Sequence, residues 1–129
     1  MSRDVEQGGQ RGAAPGRAWF EVSELDGWAV VRAGGEIDTH TVHEFHETVA
    51  RATSLASRVV LDLAGVTFVD SSGLGALIVA RNSAREGGGS LSLVSPPPVV
   101  RRLLGSTRLH DVFDIYDTLD DAINAFERP

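Results

Sequence analysis

The stretch Val66 to Ala80, VTFVDSSGLGALIVA, decides the fold. Val66, Thr67, Phe68 and Val69 form a short β-branched and aromatic run, the composition of an extended segment. It stops at Asp70-Ser71-Ser72-Gly73, and a run rich in Leu, Ala and Ile follows at once, so an extended segment turns directly into a helix. Asp and Ser are preferred helix N-caps, and such a triplet is in most chains only a cap. The same residues also sit where the first helical turn leaves backbone N–H groups unpaired and the dipole leaves partial positive charge. A phosphate added there would be well placed.

Outward from this stretch, strand and helix signals alternate. Arg58 to Leu63 (RVVLDL) reads as a short buried strand, with Ala64-Gly65 turning the chain into the central stretch. The helix after Asp70 is predicted to run to about Glu86, burying Leu74, Leu77 and Ala84 while Gly75, Val79 and Asn82 fall on a different face. Gly87-Gly88-Gly89 ends it, and Ser90 to Val94 forms a strand. Ser95 followed by Pro96, Pro97 and Pro98 reads as a cap with proline in the first turn, starting a short helix, Val99 to Leu104, that Gly105 ends. A last strand lies around Val112 to Tyr116, and Thr118 caps a final helix, Leu119 to Phe126, with Asp120 and Asp121 in its first turn.

Upstream, Trp19 to Leu25 and Trp28 to Gly35 flank Asp26-Gly27, the pattern of a β-hairpin. A helix follows from about Thr41 to Ala52 or slightly beyond, with Val42, Phe45, Val49, Ala52 and Ala56 as its buried stripe and His43, Glu44, Glu47 and Arg51 outward. Thr41 and Glu44 fit a capping box, with Asp38 and Thr39 as alternative caps, and Glu47 with Arg51 makes an i,i+4 pair. The whole predicts one α/β domain with a mixed β-sheet. Residues 1–17 are Gly-, Gln- and Arg-rich and are expected to be a flexible N-terminal tail, with the domain spanning 18–129.

Composition removes several functions. The 129 residues hold one core, and there is no cysteine, hence neither a disulfide nor a thiolate zinc site. His40, His43 and His46 are spaced by three, which spreads the outer two about 120° apart around a helix, so no metal site is expected. The net charge is −6, and an acidic domain disfavours a nucleic-acid backbone as partner. No apolar run is long enough to span a bilayer, and the start lacks an apolar leader, so the chain reads as cytoplasmic, without a membrane partner. All 12 basic residues are Arg. Without Lys there is no P-loop, so no nucleotide cofactor is expected, and a receiver domain with its acyl-phosphate lysine is excluded as well. A serine hydrolase is disfavoured too: a nucleophile elbow needs Gly two residues before the Ser, where Val69 precedes Ser71 and Asp70 precedes Ser72.

Taken together, Gly35-Glu36-Ile37-Asp38 with Thr41, Val60-Leu61-Asp62-Leu63, Phe68 through Gly75, and Leu103-Leu104 followed by Leu109, Val112 and Phe113 resemble the STAS domain family, and within it the bacterial anti-sigma factor antagonists. The likeness runs from about Phe20 to Phe126. It implies helices mainly on one face of the sheet and a binding module, not an enzyme. It also implies that Ser71 is the phosphoacceptor of an anti-sigma factor with serine kinase activity, a GHKL-type ATPase. The unphosphorylated form captures that kinase and frees the sigma factor, and a metal-dependent, PP2C-like phosphatase resets the modified form. Asp38 falls near the kinase-contact surface, which with the helix faces above groups Asp38, Thr41, Asp70, Ser72, Gly73, Gly75, Val79 and Asn82 as partner-binding residues. Ser72 is assigned mainly to capping and local hydrogen bonding. The competing reading is a STAS scaffold or accessory subunit of the stress-complex or lipid-transport type, without sigma regulation.

Because the apolar pattern begins only at Trp19 and Phe20, a chain starting at Ala18 is expected to keep a single cooperative thermal transition. Scanning calorimetry checks this, and loss of the transition would make the first residues structural.

Overall fold

The computed structural model describes residues 17–127; the expected N-terminal tail, apart from Arg17, lies outside them. Trp19–Leu25 (β1) and Trp28–Ile37 (β2) form the opening hairpin. Asp26 and Gly27 both take positive φ, 51° and 87°, the type I′ conformation whose twist suits a two-residue hairpin. The chain then alternates through Val42–Leu55 (α1), Arg58–Val69 (β3), Ser71–Glu86 (α2), Ser90–Val94 (β4), Pro98–Ser106 (α3), Asp114–Tyr116 (β5) and Leu119–Glu127 (α4).

The five strands lie in the sheet in the order β1-β2-β3-β4-β5, antiparallel at the hairpin and parallel from β2 onward. This order decides where the helices go. Parallel crossovers are right-handed almost without exception, so α1, α2 and α3, each joining a strand to its next neighbour in one direction, all come to the same face. Their contacts agree: Phe45, Val49 and Ala52 of α1, Ala76, Leu77, Ala80 and Ala84 of α2, and Val100 and Leu104 of α3 share one core with Val31, Val59, Leu61, Leu63 and Leu93 of the sheet. Among the described helices only α4, outside any crossover, lies on the opposite face, where Ala122 packs with Trp28, Val60 and Val94. There Phe126 meets Trp28 edge-on at 5.4 Å, and the Arg58 guanidinium sits 4.3 Å from the Phe126 ring. Among the described residues no helix is long and apolar enough to cross a membrane.

Ala64-Gly65 is not the predicted turn. Strand β3 runs unbroken from Arg58 to Val69, and the two residues belong to an irregularity within it. Opposite Arg32 to Gly34, β3 advances from Asp62 to Gly65, and opposite Gly35 to Glu36 it advances from Val66 to Phe68. Each time β3 holds one residue more than its partner, which is a bulge. The first is secured by Asp62, whose Oδ1 accepts the Ala64 N–H at 2.9 Å. The bulges change the apolar period from two to three, so Leu63, Val66 and Val69 all face the helix-side core. Alternation would have turned one of them outward.

Two boundaries differ near α3. Ser95 does not cap it: its φ is 54°, and its hydroxyl donates to the Asp117 carbonyl at 2.9 Å. Pro97 is the N-cap and Pro98 the first helical residue, where the missing amide hydrogen costs nothing. Gly105 lies inside the last turn, and the end is closed at Thr107, whose hydroxyl donates to the Leu103 carbonyl at 2.7 Å. Strand β5 starts at Asp114, after a single 3-10 turn at Leu109–Asp111.

Phe45 is fully buried, 5.7 Å from the half-buried Phe20 ring, and links α1 to the hairpin. Phe45→Ala is expected to cost about 3–5 kcal/mol, read as a fall in the denaturant midpoint with unchanged slope.

Candidate functional site

The parallel strands β2 and β3 end side by side, Ile37 opposite Val69, and α1 and α2 both start from this end of the sheet. Asp70 is the N-cap of α2, its Oδ1 accepting the Gly73 N–H at 2.9 Å while its carbonyl accepts from Leu74 at 2.9 Å. The Asp70 N–H is bonded to the Ile37 carbonyl at 3.3 Å, so the cap is tied to the end of β2. Gly73 packs against the same carbonyl: a Cβ there would meet the Ile37 oxygen at 2.2 Å. Only a residue without a side chain lets α2 start this close to the sheet.

Ser71, the first residue of α2, is exposed, and its hydroxyl has no protein partner among the described residues. The amides of Ser71 and Ser72 likewise have no protein acceptor. Ser71 therefore presents a free hydroxyl beside free N–H groups at the positive end of a 16-residue helix, an environment that favours an added anion. The Ser72 hydroxyl turns elsewhere, lying 3.1 Å from that of Thr39.

The neighbouring turn is built by Asp38. Its Oδ1 accepts the His40 N–H at 2.9 Å, and its carbonyl accepts from Val42 at 2.9 Å, so it closes the turn that leads into α1, while Thr41 holds the N-cap position without a side-chain cap bond. The Thr41-Glu44 capping box does not form. Thr41 instead donates to the Glu36 carbonyl at 2.8 Å and accepts the Asp38 N–H at 3.0 Å, fastening the helix start to the end of β2. Glu47 pairs with His43 at 3.4 Å in place of Arg51.

The STAS domain model matches residues 20–122. The chain belongs to the STAS domain family. Among its relatives is an anti-sigma F factor antagonist of Paenibacillus polymyxa, 31% identical over 112 residues, covering 84% of this chain and 94% of that protein. The anti-sigma-F factor antagonist RsfB of Mycobacterium tuberculosis is 31% identical over 113 residues, covering 86% of this chain and 91% of the relative. A crystal structure of an anti-sigma factor antagonist from Mycobacterium paratuberculosis superposes with a TM-score of 0.74 at 32% identity, covering 87% of this chain and 96% of that one.

Within this STAS domain the residues expected from the sequence divide into three groups. Ser71, Val79 and Asn82 are exposed on α2, with Val79 51% exposed and Gly75 facing open space. Asp38, Asp70 and Ser72 are partly buried, and each holds a hydrogen bond that shapes the site. Thr41 and Gly73 are buried, so they support the site from beneath and offer no side chain to a partner. Ser72 is not a cap, since Asp70 takes that role and Ser72 bonds across to Thr39. Two neighbours escaped the sequence reading. Thr39 entered it only as a cap candidate, and nothing in its spacing announces the contact with Ser72. Phe68, two residues before the cap, is 45% exposed; counting back by alternation from the inward-facing Val69 would have placed it outward.

Two glycines two residues apart give a contrast. Gly73→Ala is expected to destabilise by about 1–3 kcal/mol because its Cβ overlaps the Ile37 carbonyl. Gly75→Ala, with open space around the new methyl, is expected to be neutral or to stabilise by up to about 1 kcal/mol through helix propensity. Chemical denaturation of the two variants side by side checks both signs.

Proposed function

We propose that this chain is an anti-sigma factor antagonist, a binding module and not an enzyme, switched by phosphorylation of Ser71. The observation that carries the reading is the asymmetry at the start of α2: Asp70 and Ser72 are committed to hydrogen bonds, whereas the Ser71 hydroxyl is exposed and uncommitted. The antagonist names of relatives that align over most of their length support it. The unphosphorylated form binds an anti-sigma factor with serine kinase activity, of the GHKL ATPase type, and the sigma factor is freed. The kinase supplies the ATP, and a PP2C-like phosphatase returns the chain to its binding form. The contact surface joins the Asp38 turn to the exposed face of α2 through Gly75, Val79 and Asn82.

Phosphorylation adds a charge of roughly −1.5 to −2. At the helix N-terminus that charge meets the free Ser71 and Ser72 amides and the dipole, opposed in part by Asp70. The helix therefore stays folded. Release follows from placing a hydrated dianion into an interface shaped for a neutral hydroxyl, where incomplete compensation costs several kcal/mol. Each ~1.4 kcal/mol is a tenfold loss of affinity.

Affinity for the anti-sigma factor is expected to fall by about two orders of magnitude or more on phosphorylation of Ser71, and by part of that in Ser71→Asp. Ser71→Ala keeps binding and takes up no phosphate, and Val79→Glu weakens binding with melting nearly unchanged. Phosphosite mapping, circular dichroism and titration calorimetry on the same samples check this. A phosphorylated Ser71 form that loses helix or retains full affinity would sink the mechanism, and unaltered binding by Val79→Glu would remove that face of α2 from the interface.

A further inference from the structure

Ser71 and Ser72 follow the same cap and differ by one position, yet a switch of this kind needs one defined acceptor. We propose that Thr39 selects it: the Thr39 hydroxyl holds that of Ser72 toward the β2–α1 turn, so that Ser71 alone is free to react. This rests on the antagonist reading above and specifies how its modification site is chosen. Thr39 is thus a positioning residue, acting through Ser72.

The bond between the two hydroxyls is 3.1 Å long and joins segments 33 residues apart. A lone contact between exposed side chains would be easily lost, but both ends of this one are fixed by backbone. On the Thr39 side, Asp38 closes the turn over the His40 N–H at 2.9 Å, and Thr41 clamps the next residues to the Glu36 carbonyl at 2.8 Å. On the Ser72 side, the Asp70 N–H bonds the Ile37 carbonyl at 3.3 Å, and Gly73 sits against the same oxygen. The two segments cannot drift apart without breaking these contacts, so the hydroxyls stay within reach.

In the transfer, the acceptor Oγ forms a bond to the γ-phosphorus of ATP bound by the kinase. The bond from that phosphorus to the leaving ADP oxygen breaks, and the hydroxyl proton passes to a base of the kinase. Ser71 enters this step with no bond to give up. Ser72 must first release Thr39, and on a helix it points about 100° away from Ser71. Loss of one net hydrogen bond corresponds to about a five-fold change in the competition between the two serines.

The test uses the full chain, ATP and the anti-sigma factor kinase that wild type captures, with phosphate located by fragmentation mass spectrometry. Thr39→Val keeps the shape of the side chain and removes the hydroxyl; Thr39→Ser restores it. Wild type and Thr39→Ser are expected to carry phosphate on Ser71. Thr39→Val is expected to raise the ratio of Ser72 to Ser71 phosphate about five-fold, and Thr39→Val with Ser72→Ala returns all phosphate to Ser71. Circular dichroism of each variant separates selection from unfolding. An unchanged ratio in Thr39→Val, or a Thr39→Ser ratio that follows Thr39→Val, overturns the selection while leaving Ser71 as acceptor. Phosphate on neither serine of wild type overturns the antagonist reading, and the selection with it.

Discussion

The approach of Gly73 to the Ile37 carbonyl is the constraint from which the site follows. Helix α2 starts so near the end of β2 that a single methyl group at position 73 would overlap the oxygen. The same carbonyl accepts the Asp70 amide hydrogen, so one oxygen fixes both the cap and the first turn of the helix. Asp70 closes on the Gly73 amide and Ser72 bonds Thr39, so of the two residues between cap and contact it is Ser71 whose hydroxyl stays uncommitted. Ser71 is exposed because its neighbours are held.

The strand ends owe their level to β3. Without its two extra residues, β3 would reach its C-terminal end out of step with β2, and the pairing of Ile37 with Val69 would not form. A sheet that is regular at Val59 to Asp62 and bulged beyond combines a packed centre with an adjusted rim. Asp62 serves the rim by taking up the Ala64 amide and sits near Arg32, with 3.7 Å between the charged groups.

Much of this was readable in the sequence because each helix and strand carries its own local signal. The hairpin follows from Asp26-Gly27, α2 from an Asp cap before a Leu- and Ala-rich run, and α4 from Thr118, whose hydroxyl accepts the Asp121 amide. Signals that depend on distant residues were not readable. Ala64-Gly65 has the composition of a turn, and only the partner strand makes it a bulge. Thr41 has the spacing of a capping box, but the Glu36 carbonyl and the Asp38 amide compete for its hydroxyl and win. Three prolines after Ser95 suggest a serine cap, whereas the Asp117 carbonyl, brought up by β5, draws that hydroxyl away. At the site, Ser71, Asp70 and Asp38 stood out through a motif, while Thr39 became visible only when the two helix starts were placed side by side.

The strand order has a consequence for how the protein comes into being. Every strand pairs with the one before it in the chain, from the hairpin to β5. On the ribosome, each strand after β1 finds a neighbour already made when it emerges. The sheet can grow by addition at one side, gaining a helix of cover with each crossover. Helix α4 then closes over Trp28, one of the first core residues to be made, so a late-made helix covers the second strand from across nearly the whole length of the domain.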